Sequence, residues 1–314
     1  MLGFLSEGGA GRVGARVLVR RLAATTWGRA SLNRLHLALG WRGQRRFYLL
    51  FAKIFRDGEP AGFAPGSWQI RFAGRRLAIP LRRGHAWLDW DSALSFLGND
   101  QDVKQTYSNL LGSPLRPDVF VDVGANYGSH SLLMLAAKVP TVSFEPNPAC
   151  HERLRAWGKA NGLEPRIEAC ALGDRDGKIA FAFPERDTWL GHVIGAGDED
   201  VAGLTRIEVP MRRLDDMGDT IPPGRTLIKL DAEGAEPLIL AGASAFIAAR
   251  QPMIVFECWP DAIARARFVA ALPREYAIHA LPWSPASTDD PLGPRSFARN
   301  AATNFIAVPP ASAV

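Results

Sequence analysis

The stretch Val119-Phe-Val-Asp-Val-Gly-Ala-Asn-Tyr-Gly128 decides the fold of this 314-residue chain. Four of the five residues from Val119 to Val123 are apolar and do not alternate, as in a strand covered on both faces. Gly124 and Gly128 remove Cβ atoms where the chain must turn and where a ligand can approach the backbone. The next segment, Ser129-His-Ser-Leu-Leu-Met-Leu-Ala-Ala-Lys138, predicts a helix with apolar Leu132, Leu133, Leu135 and Ala136, stopped by Pro140. Strand, glycine turn and helix start together aim free N–H groups and a positive dipole end at one pocket.

The expected ligand follows from a departure from the dinucleotide pattern. G-x-G-x-x-G would seat a pyrophosphate on the helix start. Here three residues separate Gly124 from Gly128, and Asp122 stands two positions before the first glycine. A carboxylate there repels phosphate and suits an ammonium group. Thr141-Val-Ser-Phe-Glu145 is a second short apolar run ending in an acid, 21 positions beyond Gly124, a place suited to bonding both hydroxyls of a ribose. Turn, Asp122 and Glu145 together suit S-adenosylmethionine, an amino acid joined to an unphosphorylated nucleoside.

Asp122-Val-Gly-Ala-Asn-Tyr-Gly128, Phe144-Glu-Pro-Asn147, Leu214-Asp215, Ile228-Lys-Leu-Asp-Ala-Glu-Gly-Ala-Glu236, Gly242-Ala243 and Val255-Phe-Glu257 stand in the order of FkbM-type methyltransferases. The sequence resembles that family over residues 117–258, chiefly through its second acidic block. The resemblance implies a class I methyltransferase fold, usually acting on a hydroxyl of a sugar or polyketide. It assigns Asp122, Gly124, Asn126, Gly128 and Glu145 to the cofactor and says little about residues 1–100.

The expected architecture is α/β: a Rossmann-like, doubly wound, mostly parallel sheet with an antiparallel edge. Three segments are expected: a basic helical extension at 1–66, a hairpin and helical lead-in at 67–116, and the methyltransferase domain at 117–314. With 47% hydrophobic and 22% charged residues the composition is that of an ordinary soluble globular chain. The formal charge of +5 is uneven, because residues 1–66 carry eleven Lys/Arg against only Glu7, Asp57 and Glu59. Cys150, Cys170 and Cys258 show neither disulfide-framework nor zinc-ligand spacing, which points to a reducing cytoplasm. No run of 18 apolar residues exists, and Arg12, Arg16, Arg20 and Arg21 interrupt any signal-peptide core.

Residues 44–56 form an apolar stripe of Phe47, Leu50, Phe51 and Ile54 flanked by Arg45, Arg46, Lys53 and Arg56. Two readings stand. These basic helices pack on the catalytic domain with solvated arginines, or they lie on an anionic surface at the inner membrane face. Trp68-Gln-Ile-Arg-Phe72 and Leu77-Ala-Ile-Pro-Leu81 read as a hairpin with Pro80 on an edge strand. Trp87 and Trp90 stand in a segment that either covers or borders the substrate cleft or, as favoured here, supplies hydrophobic anchors holding this extension to the core. The excursion from Pro184 to Gly203, with Trp189 and His192, exceeds ordinary loop length and suggests a functional lid.

Open parallel sheets place ligands beyond the C-terminal strand ends, where Asp122, Glu145, Asp231 and Glu257 all fall. Asp231 is the first candidate to contact the acceptor or the methionine amine; its alternative is to cap the following helix. Glu233 and His130 are further catalytic candidates, His192 a weaker one, and Glu236 is a candidate to stabilise the helix start. Ala171 and Leu172 suit an apolar wall for adenine, and Asp174 either accepts from its exocyclic amine or serves as a turn residue. Asp231 and Glu257 offer hard oxygens to Mg²⁺, but no metal is expected. The expected partner is a small-molecule or glycan acceptor, methylated on a hydroxyl of a saccharide, glycoconjugate or related secondary metabolite. Two rivals remain: a nucleic-acid methyltransferase, disfavoured because Asp-Ala-Glu-Gly-Ala-Glu stands where an amino-methyltransferase carries Asn/Asp-Pro-Pro-aromatic, and a non-catalytic membrane-surface subunit.

Overall fold

The computed structural model describes residues 9–184, 191–193 and 203–310. The chain divides into two compact units, Met1–Gln101 and Asp102–Val314. The first holds helices α1 (Gly9–Ala24), α2 (Thr26–Ala38) and α3 (Trp41–Phe51), a 3₁₀ turn at Ala52–Phe55, the hairpin strands β1 (Gly66–Phe72) and β2 (Arg75–Leu81), and α4 (Ala86–Gly98). Ala73 and Gly74 close the hairpin with φ of 45° and 76°, the left-handed turn whose twist matches the strands. Both strands are edges, so Pro80 is tolerated opposite Ser67.

The core of this unit is aromatic. Trp68 and Trp90 meet edge to face with centroids 4.9 Å apart, and His36 sits 5.3 Å from Phe47 and 5.2 Å from Trp68. Burial pushes His36 down to about 4, so it is neutral at physiological pH. Asn33 fastens α2 to β1, donating to the Gln69 carbonyl (2.7 Å) and accepting from its N–H (2.8 Å). Trp90 is an anchor of this unit, its indole N–H donating to the Phe51 carbonyl (2.8 Å). The hairpin therefore shares one core with the N-terminal helices, where the sequence suggests separate segments at 1–66 and 67–116. Two residues of the basic face turn inward: Arg20 donates to the carbonyls of Ile54 and Gly58, and Arg29 to those of Ala23 and Ala64.

Helix α5 (Gln101–Leu111) opens the second unit, followed by β3 (Val119–Val123), α6 (Ser129–Ala136), β4 (Thr141–Phe144), α7 (Pro148–Ala160) and β5 (Arg166–Glu168). Strands β6 (Ala171–Leu172), β7 (Gly177–Pro184), β8 (His192–Val193) and β9 (Leu204–Arg212) form a separate four-stranded sheet. Then come β10 (Thr226–Leu230), α8 (Glu236–Ala241), α9 (Ser244–Arg250), β11 (Met253–Glu257), α10 (Ala262–Ala271), β12 (Ala277–Ala280), α11 (Pro294–Ala298) and β13 (Asn304–Val308). The main sheet has seven strands in the order β12-β13-β11-β10-β3-β4-β5. Pairs from β5 to β11 are parallel, and β13 runs antiparallel between β11 and β12. Every residue of β3 and β10 is buried, which explains their nearly unbroken apolar runs. This is the doubly wound, Rossmann-like sheet expected from the sequence.

Strand order reverses between β3 and β10, and there two backbones nearly touch. A Cβ on Gly124 would lie 1.9 Å from the Asp231 carbonyl oxygen, and Gly124 has φ +71°. The motif residues Asp215 and Gly242 prove to be a structural joint. The Asp215 N–H donates to the Gly242 carbonyl (3.0 Å), and its carboxylate accepts from the Phe246 N–H (2.9 Å) in the first turn of α9. Arg265, 1% exposed, donates to the carbonyls of Cys258, Trp259, Phe297, Asn300 and Ala302, tying α10 and α11 to the end of β11.

Gly124→Ala and Gly162→Ala separate this contact from simple backbone strain. Gly162 has φ +64° with open space around it, so its substitution should cost about 1 kcal/mol. Gly124→Ala adds a main-chain collision and should cost at least about 2 kcal/mol more in chemical denaturation. Equal losses would show that the β3–β10 approach is not tight.

Candidate active site

One cleft lies at the carboxyl ends of β3, β4 and β10, the place where open parallel sheets hold ligands. Gly124 and Asn126 from the first turn, Glu145 and Asn147 beyond β4, Ala171 and Leu172 of β6, and Asp231 and Glu233 beyond β10 all line it. Six of the predicted site residues therefore share one hollow: Gly124, Asn126, Glu145, Leu172, Asp231 and Glu233.

Glu145 is fixed by main chain on both sides. Its Oε2 accepts from the Asn126 N–H and its Oε1 from the Asn147 N–H, each at 2.7 Å. Each oxygen keeps a second acceptor direction for a ligand hydroxyl. This carboxyl is raised to about 7, chiefly by burial; the two amides oppose the shift, nearby Asp122 adds to it and Lys229 subtracts from it.

Asp122 is fully buried in β3 rather than exposed at the mouth. Its Oδ2 accepts from the Ser131 hydroxyl (2.6 Å), which also meets the Ser143 hydroxyl (2.7 Å). Its Oδ1 has no hydrogen-bond partner among the described residues. A buried carboxylate oxygen left without a donor calls for an explanation, and a cationic group supplies one.

Asp231 follows β10, its N–H donating to the Val123 carbonyl (3.2 Å). Its Oδ2 pairs with the Lys229 ammonium at 2.8 Å, and its Oδ1 makes no hydrogen bond among the described residues. Asp231 does not cap a helix. Glu233 and Gly234 take φ of +51° and +97°, so 232–235 form a turn and α8 begins only at Glu236. Glu236 holds that turn rather than the helix's own amides, accepting from the N–H groups of Ala232 (2.8 Å) and Gly234 (3.3 Å). Glu233 holds a left-handed backbone that favours glycine, a strain found at functional turns.

Four predicted site residues do not line the cleft: Asp122, buried in β3, and the three described next. His130 is buried in the first turn of α6, edge-on to Tyr107 with centroids 5.7 Å apart, and does not line the cleft; packing against that ring turns it away. Gly128, with φ +78°, makes room for Leu154, whose Cδ1 would meet an added Cβ at 2.1 Å, so it serves helix packing. Asp174 sits half-buried in a turn beside Arg175 (3.4 Å), the turn-residue alternative. The excursion at 184–203 lies largely outside the described residues. Of His192 only the backbone is described, paired with β7.

Lys229 escapes a motif-by-motif reading. It is 5% exposed and lies in register with Asp122, so the two side chains leave the same face of the sheet. A lone charge in an otherwise apolar strand (Thr-Leu-Ile-Lys-Leu) signals a buried counter-charge. Cys150 and Cys170 also line the cleft, and burial raises both thiols, Cys170 to about 11. Protonated thiols are poor nucleophiles, so neither cysteine is poised as one.

A doubly wound sheet with antiparallel β13 beside β11, and with carboxylates gathered at its switch point, defines the class I methyltransferases. Residues 122–267, a little under half of the chain, match the Methyltransferase FkbM domain, a match that supports a methyltransferase of the FkbM type. Methyltransferase sdnD of Sordaria araneosa is 26% identical over 196 residues, an alignment covering 52% of this chain and 74% of that protein. The crystal structure of a methyltransferase FkbM from Methylobacillus flagellatus KT aligns at 16% identity and TM-score 0.38 over 69% of this chain; the match spans about half (54%) of that structure. A geranyl diphosphate methyltransferase solved in complex with SAM aligns at 13% identity and TM-score 0.35, covering 72% of this chain and 89% of that one.

The raised Glu145 carboxyl carries a pH signature. Between its ordinary value and about 7 the folded state holds a proton that the unfolded state has released, so stability falls as pH rises through that window. The loss due to this group is on the order of 3 kcal/mol. Glu145→Gln should flatten that part of the profile in urea titrations from acid to neutral pH. An unchanged slope would place the titrating group elsewhere.

Proposed function

We propose that this methyltransferase uses S-adenosylmethionine to methylate a hydroxyl of a saccharide or glycoconjugate. The observation that carries the acceptor class is a second cavity of about 510 Å³ that shares the lining residue Glu233 with the cleft. Its wall includes Trp259, 63% exposed, with Glu257 and Arg267. An open indole suits the C–H face of a pyranose, while carboxylates accept from hydroxyls and a guanidinium donates to ring or hydroxyl oxygens. Carboxylates around the acceptor disfavour a phosphate backbone, which weakens the nucleic-acid alternative.

The residues present fit the cofactor. Asp122 offers a buried oxygen to an ammonium group, Glu145 offers one free acceptor direction on each oxygen to ribose hydroxyls, and Ala171 and Leu172 offer an apolar wall to the adenine. Gly124 keeps the main chain bare where the ligand passes. S-adenosylmethionine, when bound, supplies a methyl group on a positively charged sulfur. The protein's task is then alignment, worth roughly 10⁵–10⁸ M in effective concentration. Asp231, held through Oδ2 by Lys229, presents Oδ1 to take the acceptor's hydroxyl proton, and Glu233 at its strained turn orients the acceptor.

Calorimetry tests the cofactor reading. Asp122→Ala and Glu145→Ala should each weaken S-adenosylmethionine binding at least about tenfold, near 1.4 kcal/mol, with circular dichroism unchanged. Wild-type affinity in both would remove the site. Asp231→Asn should lower turnover about 10²–10⁴-fold with nearly unchanged cofactor affinity; full turnover would make Asp231 structural.

The acceptor class is tested by labelled methyl transfer into carbohydrate, lipid and nucleic-acid fractions of a cell lysate. Label should enter carbohydrate, and Trp259→Ala should raise acceptor KM about tenfold while kcat changes far less. Label in nucleic acid, or a Trp259→Ala variant with wild-type KM, would contradict the assignment.

A further inference from the structure

From residue 8 to residue 56 the chain contains no Asp or Glu, yet it carries eleven Lys/Arg. Such a bias has no counterpart in the rest of the sequence, and the methyltransferase site does not use it. Helix α1 turns an apolar arc outward: Val13 is 63% exposed, Val17 46% and Leu18 58%. At a helical step of 100° these three fall within one arc that also holds exposed Arg21, with exposed Arg16 at its flank. The opposite side, Val19 and Ala23, is buried. In the first turn of α2 stands Trp27, 86% exposed, on a face shared with exposed Arg34 and Leu35.

Apolar side chains facing solvent between arginines are the arrangement of a helix that rests in a lipid headgroup region. The aromatic and aliphatic groups enter the acyl boundary, and the guanidinium groups meet anionic phosphates. Nucleic acid would attract the same charge but gives no reason for outward Val13, Val17 and Leu18. None of the described helices is long and apolar enough to cross a membrane, so any attachment through them is peripheral. We propose that α1 and the start of α2 dock this protein on an anionic lipid bilayer. The arginines that face inward, Arg20 and Arg29, are not part of the contact, because their guanidinium groups are held by main-chain carbonyls.

The test is co-sedimentation of the full chain with vesicles of phosphatidylcholine alone, or with about one third phosphatidylglycerol, at about 0.1 M and about 0.5 M salt. The protein should bind the anionic vesicles at low salt, release at high salt, and ignore neutral ones. A triple variant, Arg16→Gln, Arg21→Gln and Arg34→Gln, should bind about fivefold more weakly per arginine removed. A second variant, Trp27→Ser with Val13→Ser and Leu18→Ser, should also lose binding although every arginine remains; all these positions are exposed, and thermal melts check that the fold persists. Four results would overturn the proposal: equal binding to neutral vesicles, no binding to anionic ones, wild-type binding by the Trp27 variant, or an oligonucleotide or second copy of the chain occupying this face instead.

Discussion

At the crevice between β3 and β10, main chain meets main chain. The Asp231 carbonyl stands where a Cβ on Gly124 would have to be, and the Asp231 N–H bonds the end of β3. Only glycine permits this approach, and its positive φ turns the chain away from the sheet at once. The turn then delivers the Asn126 N–H to Glu145, while the strand end of β10 delivers Asp231. The Glu145 side and the Asp231 side of the cleft are thereby positioned by one contact, which makes their spacing a property of the backbone rather than of flexible side chains.

Around that contact the fold buries charges that a stability-optimised core would exclude. Asp122, Glu145 and Lys229 are each at most 5% exposed, and Lys229 pairs with half-open Asp231. Burial of ion pairs is seldom a net gain, because desolvation opposes the attraction. Glu145 shows the cost directly in its raised carboxyl. On the proposed function, a cationic amino acid and ribose hydroxyls are the groups that would offset this cost.

Much of this was legible in the sequence, for identifiable reasons. Val119–Val123 and Thr226–Leu230 are apolar because both faces are covered, and that pattern cannot be confused with a surface strand. Gly124 and Glu145 could be placed because their chemistry depends on local strand-to-turn geometry. His130 misled because sequence gives its position on α6 but not the direction of its ring, which tertiary packing sends toward Tyr107. Gly128 was read as a ligand glycine, yet the atom it avoids, on Leu154, lies 26 residues away and is invisible locally. The turn at 232–235 is not legible in the sequence because Glu233 adopts a conformation its residue type disfavours. Lys229 carried a signal, a charge inside an apolar strand, but its meaning depends on the neighbouring strand.

Crystals grown with S-adenosylhomocysteine would test the central claim most directly. The expected density places the ribose hydroxyls on Glu145 and the amino-acid end at the Gly124 turn beside Asp122, with the adenine against Leu172. A bound ligand that leaves Glu145 and the Gly124 turn untouched, or one seated away from the β3–β10 crevice, would contradict it.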